Sequence, residues 1–264
     1  MIDAPCGGDA PWIPVFTNRL KVTLTVLILI VSQSAVGDGM RVSPLKLQFD
    51  TDSNSTLVKV SNGSEEKMTV QLEAMTWTQD QAGQDQYSAT SEIVIFPRIF
   101  SMEPAEQRVV RVGYQGEPAS KEEKAFRLYV QELPVQKPGE AEMKFAVRMG
   151  IPIFVTPIHQ EEAWDISSTE MTEQGFSVRI ENAGTHVVKI GAIEFTGLDA
   201  EGAKLFSVKE SGWYVLAGRG RDFMLPYAGD HCEQVVSLEL TAASGNETRN
   251  RRLSVTNSDC CANY

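Results

Sequence analysis

The clearest pattern in the chain is a strict alternation of apolar residues with polar or small ones, shortly after its midpoint. The apolar residues occupy every odd position from 143 to 153, namely Met143, Phe145, Val147, Met149, Ile151 and Ile153. Because successive side chains of an extended strand point to opposite faces, this pattern predicts one long strand with an apolar face. That face needs a partner, which is either the core of the protein itself or another protein.

Short segments with strand character recur along the chain and are separated by turn signals such as Ser61-Asn62-Gly63-Ser64. The first half contains seven predicted strands: Val42–Phe49, Thr56–Ser61, Met68–Trp77, Ile93–Phe96, Arg108–Val112, Phe126–Glu132 and Met143–Val155. The second half contains six: Phe176–Ile180, Val187–Phe195, Trp213–Leu216, Asp222–Leu225, Gln234–Leu240 and Arg252–Val255. No window of helical length shows a period of 3.6 residues. We therefore expect an all-β fold with two immunoglobulin-like β-sandwich domains in tandem.

The boundary between the two domains is predicted at residues 158–162, IHQEE, which are mostly polar and follow Pro157. The first domain would then span residues 38–157 and the second residues 163–264. The two halves show no repeat in sequence, so we expect them to share an architecture without obvious common ancestry.

Residues 1–37 have the features of an export signal. Two basic residues precede the apolar run Val22–Val31, which is too short to span a bilayer but has the length of a signal-peptide core. Small residues follow in SQSAVG, so cleavage is expected after Ser34 or Gly37. We predict an exported protein whose mature chain begins near Asp38 and is not inserted in a membrane.

Composition narrows the possible functions. Apolar residues make up 42% of the chain and charged residues 22%, which is typical of a folded globular protein. The net charge of −11 argues against a nucleic-acid partner, since neutralising phosphates requires a basic face. The three histidines, His159, His186 and His231, lie in no recognisable catalytic motif, and no nucleotide-binding or hydrolase signature occurs. We predict that the protein is not an enzyme and uses no cofactor.

Three cysteines, Cys232, Cys260 and Cys261, lie near the C-terminal end of the sequence. An oxidising compartment favours a disulfide between Cys232 and one of the adjacent pair, which leaves one thiol over. The alternative is a metal site that uses these cysteines and His231, although their spacing matches no zinc pattern.

Four segments resemble periplasmic pilus-assembly chaperones of the chaperone/usher class. They are RVSPLKLQFD at residues 41–50, IFPRIFSMEPAEQRVVRV at 95–112, KAFRLYVQELP at 124–134 and RMGIPIFVTP at 148–157. Their order and spacing are similar to those of the family. The resemblance is strong in the first half of the mature chain and weak in the second.

The resemblance implies two sandwiches arranged in an L, with a cleft between them that binds the C-terminal end of a pilin subunit. In that family the subunit lacks its last strand, and the long strand of the chaperone fills the gap until the outer-membrane usher takes the subunit. By this resemblance Met143, Phe145 and Val147 would enter the groove of the subunit. The apolar residues from Met149 onwards would belong to the core of the chaperone.

The family also binds the terminal carboxylate of the subunit with two basic residues, one on the first strand and one late on the long strand. Lys46 matches the first position. The second position holds Pro152, which carries no charge, so Arg148 is predicted in its place and Arg98 is a further candidate.

The predicted function is therefore that of a periplasmic chaperone for pilus or fimbrial subunits, with an outer-membrane usher as its second partner. The alternative is a secreted tandem immunoglobulin-like adhesin or a subunit of the surface fibre itself. A fibre subunit would need an N-terminal extension of alternating apolar residues and an incomplete sandwich. The sequence instead predicts all seven strands of the first sandwich.

Overall fold

The computed structural model describes residues 39–119, 121–134, 146–172, 175–227 and 232–254. These residues form nineteen strands and a single 3₁₀ turn, Cys232–Gln234. Within the described ranges, no helix is long and apolar enough to cross a bilayer. The predicted all-β fold is confirmed.

The first sandwich is built from ten strands: β1 (Met40–Ser43), β2 (Leu47–Phe49), β3 (Ser55–Asn62), β4 (Met68–Gln79), β5 (Asp85–Ala89), β6 (Ile93–Phe96), β7 (Ile99–Met102), β8 (Gln107–Tyr114), β9 (Lys124–Leu133) and β10 (Arg148–Val155). One sheet has the strand order β1-β3-β8-β6, and the other has the order β2-β10-β9-β4-β5, with β7 also paired to β4. The core between them contains inward side chains from both sheets, among them Val58, Val110, Phe126 and Ile153.

The predicted first strand, Val42–Phe49, is two strands in the structure. β1 pairs antiparallel with β3 in one sheet, whereas β2 pairs parallel with β10 in the other. Pro44 lies between them and has no N–H to contribute to a ladder, so the strand cannot continue through it. The chain therefore changes sheets at this point.

The second sandwich is built from nine strands: β11 (Trp164–Thr172), β12 (Gly175–Asn182), β13 (Val188–Lys189), β14 (Ala192–Leu198), β15 (Lys204–Ser211), β16 (Tyr214–Val215), β17 (Arg219–Pro226), β18 (Ser237–Ser244) and β19 (Glu247–Ser254). Its sheets have the orders β11-β12-β17, β13-β16 and β15-β14-β18-β19. A separate core contains Phe176, Val178, Phe195 and Leu240. Residues 156–163, which join the two sandwiches, form no strand.

Four strands were not predicted from the sequence: β5, β7, β11 and β15. Each of them pairs with only one other described strand, so each is an edge strand. Edge strands carry more polar residues than central strands, and this weakens their apolar alternation. The segments WDISSTEMT of β11 and KLFSVKES of β15 show the effect.

A small third cluster joins the sheet that contains β10 to the second sandwich. It comprises Trp77, Ala125, Phe154 and Leu216, with Tyr87, Val187 and Tyr214 packed around them. This cluster fixes the surroundings of the candidate site.

Candidate functional site

The candidate site lies on the face of the sheet β2-β10-β9-β4-β5 that points away from the first core. Met149, Ile151 and Ile153 of β10 pack into this core, as predicted, and so does Val155. The residues between them therefore point to the opposite face. There the strand register places Gly150 opposite Tyr129 and Pro152 opposite Arg127.

One edge of β10 is only partly paired. β9 pairs with β10 along its whole length, but β2 pairs only with Ile153–Val155 on the other side. Among the described residues, Arg148–Pro152 therefore have no neighbouring strand on that side. The free backbone groups of such an edge can pair with a strand from another chain.

Val147 lies immediately before this open edge. Its side chain is 44% exposed, and its carbonyl accepts a hydrogen bond from the backbone N–H of Glu132 at 3.0 Å. Val147 thus presents an apolar side chain to solvent while its backbone is held. The other two residues predicted to enter a partner's groove, Met143 and Phe145, lie outside the described residues.

Two cations lie in one row across the sheet. Lys46 directly precedes Leu47, the partner of Ile153, so Lys46 lies beside Pro152. Arg127 pairs with Pro152 from the other side. Neighbouring strands are about 4.8 Å apart. Pro152, which carries no charge, therefore has Lys46 close to it on one side and Arg127 on the other.

Arg127 is deeply buried and incompletely bonded. Its side chain is 5% exposed, and its Cζ lies 4.0 Å from the ring centroid of Trp77. Nη2 of Arg127 and Nε1 of Trp77 are both buried donors without a hydrogen-bond partner. Leaving a buried donor unpaired costs about 1 to 3 kcal/mol. An oxygen acceptor such as a carboxylate that reached this stack would satisfy both donors.

Aromatic rings surround this guanidinium. The ring centroids of Trp213 and Tyr214 lie 5.7 and 5.9 Å from Cζ of Arg127. Burial raises the pKa of the Tyr87 phenol, although the charge of Arg127 acts against this shift. Because the rings exclude water, the attraction between Arg127 and a bound anion is stronger than it would be at the surface.

Asp85 connects the first sandwich to the second beside these aromatic rings. Its Oδ2 accepts a hydrogen bond from Nε1 of Trp213 at 2.8 Å. Its Oδ1 accepts one from Nη1 of Arg221 at 3.2 Å, and both side chains of this ion pair are largely buried. The β4–β5 hairpin is thereby fixed to β17, and Trp213 is held beside Arg127.

Glu123 forms a further link between the sandwiches. Its Oε2 accepts a hydrogen bond from the backbone N–H of Val187 at 2.8 Å, and its Oε1 accepts one from Oγ1 of Thr156 at 3.4 Å. Burial raises the pKa of this carboxyl, while the hydrogen bond from Val187 and the charge of Lys46 oppose the shift. Glu123 therefore contacts the second sandwich through Val187 and also interacts electrostatically with Lys46.

The other two predicted cations do not join the row. Arg148 lies four residues before Pro152 on β10, about 13 Å along the strand, and its Cζ lies 3.7 Å from the ring centroid of Tyr129. Arg98 is exposed in the turn between β6 and β7, where its carbonyl accepts a hydrogen bond from Leu72. Leu72 belongs to β4, and β9 separates β4 from β10.

Arg127 was not singled out from the sequence, although a signal for it exists. It is the only charged residue in the apolar run Ala125–Val130. A charged residue inside an apolar strand is rarely buried unless it is paired with another charge or has a functional role.

Of the residues in the cysteine prediction, the structure describes only Cys232. Cys232 lies in the 3₁₀ turn, whereas His231, Cys260 and Cys261 lie outside the described residues. The described part of the chain contains no group of three or more potential metal ligands. The disulfide stays a prediction.

Comparison with known protein families agrees with the geometry of the site. Residues 39–160 match the family described as pili and flagellar-assembly chaperone, PapD N-terminal domain. These residues belong to the family of pilus-assembly chaperones. A comparison with curated protein sequences found no match.

Solved chaperone structures share the fold of the whole described chain. A chain of the CsuC–CsuE chaperone–tip adhesion subunit complex of Acinetobacter baumannii has a TM-score of 0.59 and 17% identity, covering 81% of this chain and 97% of that one. The E. coli chaperone DraB has a TM-score of 0.52 and 14% identity, covering 83% and 98%. A chain of the SafA pilin–SafB chaperone complex of Salmonella enterica has a TM-score of 0.53 and 12% identity, covering 83% and 97%. At these identities the likeness supports the fold, two immunoglobulin-like sandwiches.

Proposed function

We propose that the protein is an assembly chaperone that binds subunits of a surface fibre by donor-strand complementation. The observation that carries this proposal is the open edge of β10 beside the row of Lys46 and Arg127, within residues that belong to the chaperone family. Similar folds include chaperones solved together with a pilin or a tip adhesion subunit. No step of this function requires catalysis.

The chemistry of each part fits a different part of the subunit. A strand of the subunit would pair with the backbone of Arg148–Pro152, and Val147 would enter its apolar groove. The C-terminal carboxylate of the subunit would bind between Lys46 and Arg127, where it would satisfy the unpaired donors of Arg127 and Trp77. An incomplete sandwich would thereby be protected from aggregation.

The same proposal includes the cell compartment and the second partner. The leader predicted at residues 1–37 and the match to a chaperone family support action in the periplasm, with delivery of the subunit to an outer-membrane usher. The alternative, an adhesin or a fibre subunit, is not favoured, because residues 39–160 match a chaperone domain.

The decisive test changes the exposed apolar residue next to the open edge. Val147→Glu should leave the melting temperature nearly unchanged, since substitutions at exposed sites usually stay within about 0.5 kcal/mol. It should abolish co-purification of periplasmic fibre subunits, because a carboxylate would have to enter an apolar groove without a partner. Val236→Glu, at an equally exposed site in the second sandwich, is the matched control. A large loss of stability in Val147→Glu with normal subunit binding would show that this residue belongs to the core.

A second variant tests the carboxylate site. Arg127→Met should weaken subunit binding by about 2 to 5 kcal/mol, because the carboxylate of the subunit would be buried without its partner. Folding should be unaffected or slightly stabilised, since the variant removes a buried guanidinium whose Nη2 has no hydrogen-bond partner in the free protein. Arg148→Met and Arg98→Met serve as controls at the two cations outside the row. Loss of binding in either control, with normal binding in Arg127→Met, would move the carboxylate site.

A further inference from the structure

The guanidinium of Arg127 is closed off from solvent in the free protein. Its side chain is 5% exposed, and Nη2, which has no hydrogen-bond partner among the described residues, is fully buried. A ligand can therefore reach this nitrogen only if a neighbouring group moves. The contacts around Arg127 show which group that is.

Among the described residues, three rings lie around the guanidinium, and one of them is much more exposed than the other two. Trp77 is fully buried and packs edge-on against the half-buried Tyr214, with the ring centroids 5.4 Å apart. Trp213 is 40% exposed, and its ring centroid lies 5.7 Å from Cζ of Arg127. The indole of Trp213 is therefore the outermost of the rings that enclose Arg127.

The backbone of Trp213 is fixed on both sides, whereas its indole makes one hydrogen bond. Its carbonyl accepts a hydrogen bond from the N–H of Ile190 at 2.9 Å, and the N–H of Gly212 donates to the carbonyl of Gly191 at 3.1 Å. The indole Nε1 donates to Oδ2 of Asp85 at 2.8 Å. Rotation about the side-chain bonds can therefore move the indole while the backbone stays in place.

Asp85 does not depend on the bond to the indole. Its Oδ1 accepts hydrogen bonds from Nε2 of Gln79 at 3.0 Å and from Nη1 of Arg221 at 3.2 Å, and the hydroxyl of Tyr87 donates to its Oδ2 at 3.4 Å. If the indole of Trp213 turned into solvent, the carboxylate would keep these three donors and the indole N–H would bond to water. The bond can therefore break without leaving either group unsatisfied.

Separation of the two sandwiches would require many more bonds to break. Nε2 of Gln79 donates to the carbonyl of Tyr214 at 2.9 Å, and its Oε1 accepts a hydrogen bond from the N–H of Leu216 at 3.0 Å. Nη2 of Arg179 donates to the carbonyl of Gln81 at 3.1 Å. The β4–β5 hairpin is thus bonded to the second sandwich at several points, and rotation of one indole is the smaller movement.

We propose that the indole of Trp213 is a gate over the anion site of Arg127. The bond to Asp85 keeps the gate closed in the free protein, and the indole turns away when an anion enters and binds the guanidinium. That this anion is the terminal carboxylate of a fibre subunit rests on the proposed function, whereas the gate itself does not.

Such a gate would favour a carboxylate that belongs to a strand over a small anion in solution. A ligand that binds only the open state has its apparent Kd raised by the inverse of the open fraction. A small anion makes no further contacts that could offset this loss. A subunit strand would also pair with the open edge of β10, and these backbone hydrogen bonds would offset it.

The test measures access to Arg127 with phenylglyoxal, a small reagent that modifies guanidinium groups, followed by peptide mass mapping. In the wild type, Arg127 should react about tenfold or more slowly than the exposed Arg98, since an open state populated at about 10% or less limits the reaction. Trp213→Ala should raise the rate at Arg127 about tenfold and leave the rate at Arg98 unchanged. Trp213→Phe keeps a ring but cannot bond to Asp85, so it should raise the rate by a smaller factor. Phe96→Ala, at an exposed aromatic residue on the other sheet, is the matched control.

A second step asks whether the opened site binds a carboxylate. In Trp213→Ala, sodium acetate should slow the modification of Arg127, and an equal concentration of acetamide should not. In the wild type, acetate should have no effect, because the gate is closed. Arg98 provides the internal reference for effects of acetate on the reagent.

The outcomes separate the gate from the carboxylate site. Equal rates at Arg127 and Arg98 in the wild type would overturn the gate. So would a slow reaction at Arg127 in a Trp213→Ala protein that unfolds cooperatively. If Trp213→Ala does not fold, a wild-type rate at Arg127 in Trp213→Phe would overturn it. Fast modification in Trp213→Ala without protection by acetate would support the gate and contradict the carboxylate site of the proposed function.

Discussion

The two sandwiches contain the same asparagine-centred arrangement at equivalent points of their folds. Asn62 ends β3 and Asn182 ends β12, and both side chains are buried. In each case Oδ1 accepts a hydrogen bond from the backbone N–H two residues later. Nδ2 donates to three carbonyls, those of Glu66, Met102 and Glu103 in the first sandwich and those of His186, Val215 and Leu216 in the second.

The correspondence extends to the positions of the bonded carbonyls. One carbonyl belongs to the residue four positions after the asparagine, and the other two are consecutive and precede the strand that pairs with the asparagine's own strand. Each asparagine therefore closes the turn that follows its own strand. It also links this turn to the segment that precedes the neighbouring strand. The sequence showed no repeat, because the two arrangements share only an asparagine side chain and otherwise use backbone atoms.

The sandwiches differ in how they treat their edges. β10 in the first sandwich is unpaired along Arg148–Pro152 among the described residues. In the second sandwich, Nη1 of Arg251 on β19 donates to the carbonyls of Ile166 and Ser167 on the edge strand β11, at 2.9 and 2.8 Å. A shared architecture thus leaves one edge open for a partner and covers the other.

The strongest test of the equivalence removes the asparagines in turn. Asn62→Ala and Asn182→Ala should each lower the free energy of unfolding by about 2 to 5 kcal/mol, because several buried carbonyls lose their donor. Urea unfolding followed by circular dichroism measures both effects. Asn62→Asp and Asn182→Asp keep the acceptor and lose the donors, so they should be about as unstable as the alanine variants. A large effect in one sandwich and none in the other would contradict the equivalence.

One substitution removes two of the bonds that cover this edge, while Nε of Arg249 still donates to the carbonyl of Trp164 at 3.3 Å. Arg251→Met should lower the free energy of unfolding by about 1 to 2 kcal/mol, since two carbonyls of β11 lose their donor. The exposed edge should also increase concentration-dependent association, which light scattering measures. Arg252→Met, on the opposite face of the same strand, is the control. Equal effects of the two variants would show that the bonds to β11 do not protect this edge.

The sequence predicted those parts of the fold and site that depend on local patterns. Alternation located most central strands. Within the described part of the apolar row, Met149 packs against the core and Val147, just before β10, is exposed, whereas the donor role of Met143, Phe145 and Val147 stays a prediction. Arg127 was missed because its role depends on its pairing with Pro152, and register between strands 25 residues apart leaves no local trace. Lys46 lies in the same row, and its role as a carboxylate anchor stays a prediction.

The smallest expected effect concerns Glu123, which lies between the two sandwiches. Its carboxyl is buried, and burial disfavours the charged form. Burial raises the pKa of Glu123 above the ordinary value of 4.5, so the folded protein retains a proton there at pH values where the unfolded chain has lost it. The free energy of unfolding should therefore fall as the pH rises from about 4.5 through the raised pKa.

Glu123→Gln should remove this contribution. The amide oxygen can still accept the hydrogen bond from Val187, and no charge has to be buried, so the variant should be more stable than the wild type above the raised pKa. The difference should shrink as the pH falls towards 4.5, where the wild-type carboxyl is increasingly protonated in both states. Urea unfolding at a series of pH values measures the difference, and the exposed neighbour Glu122→Gln should not reproduce it. A variant that is less stable than the wild type at neutral pH would show that the attraction between Glu123 and Lys46 outweighs the cost of burial, and that the two sandwiches are joined by charge.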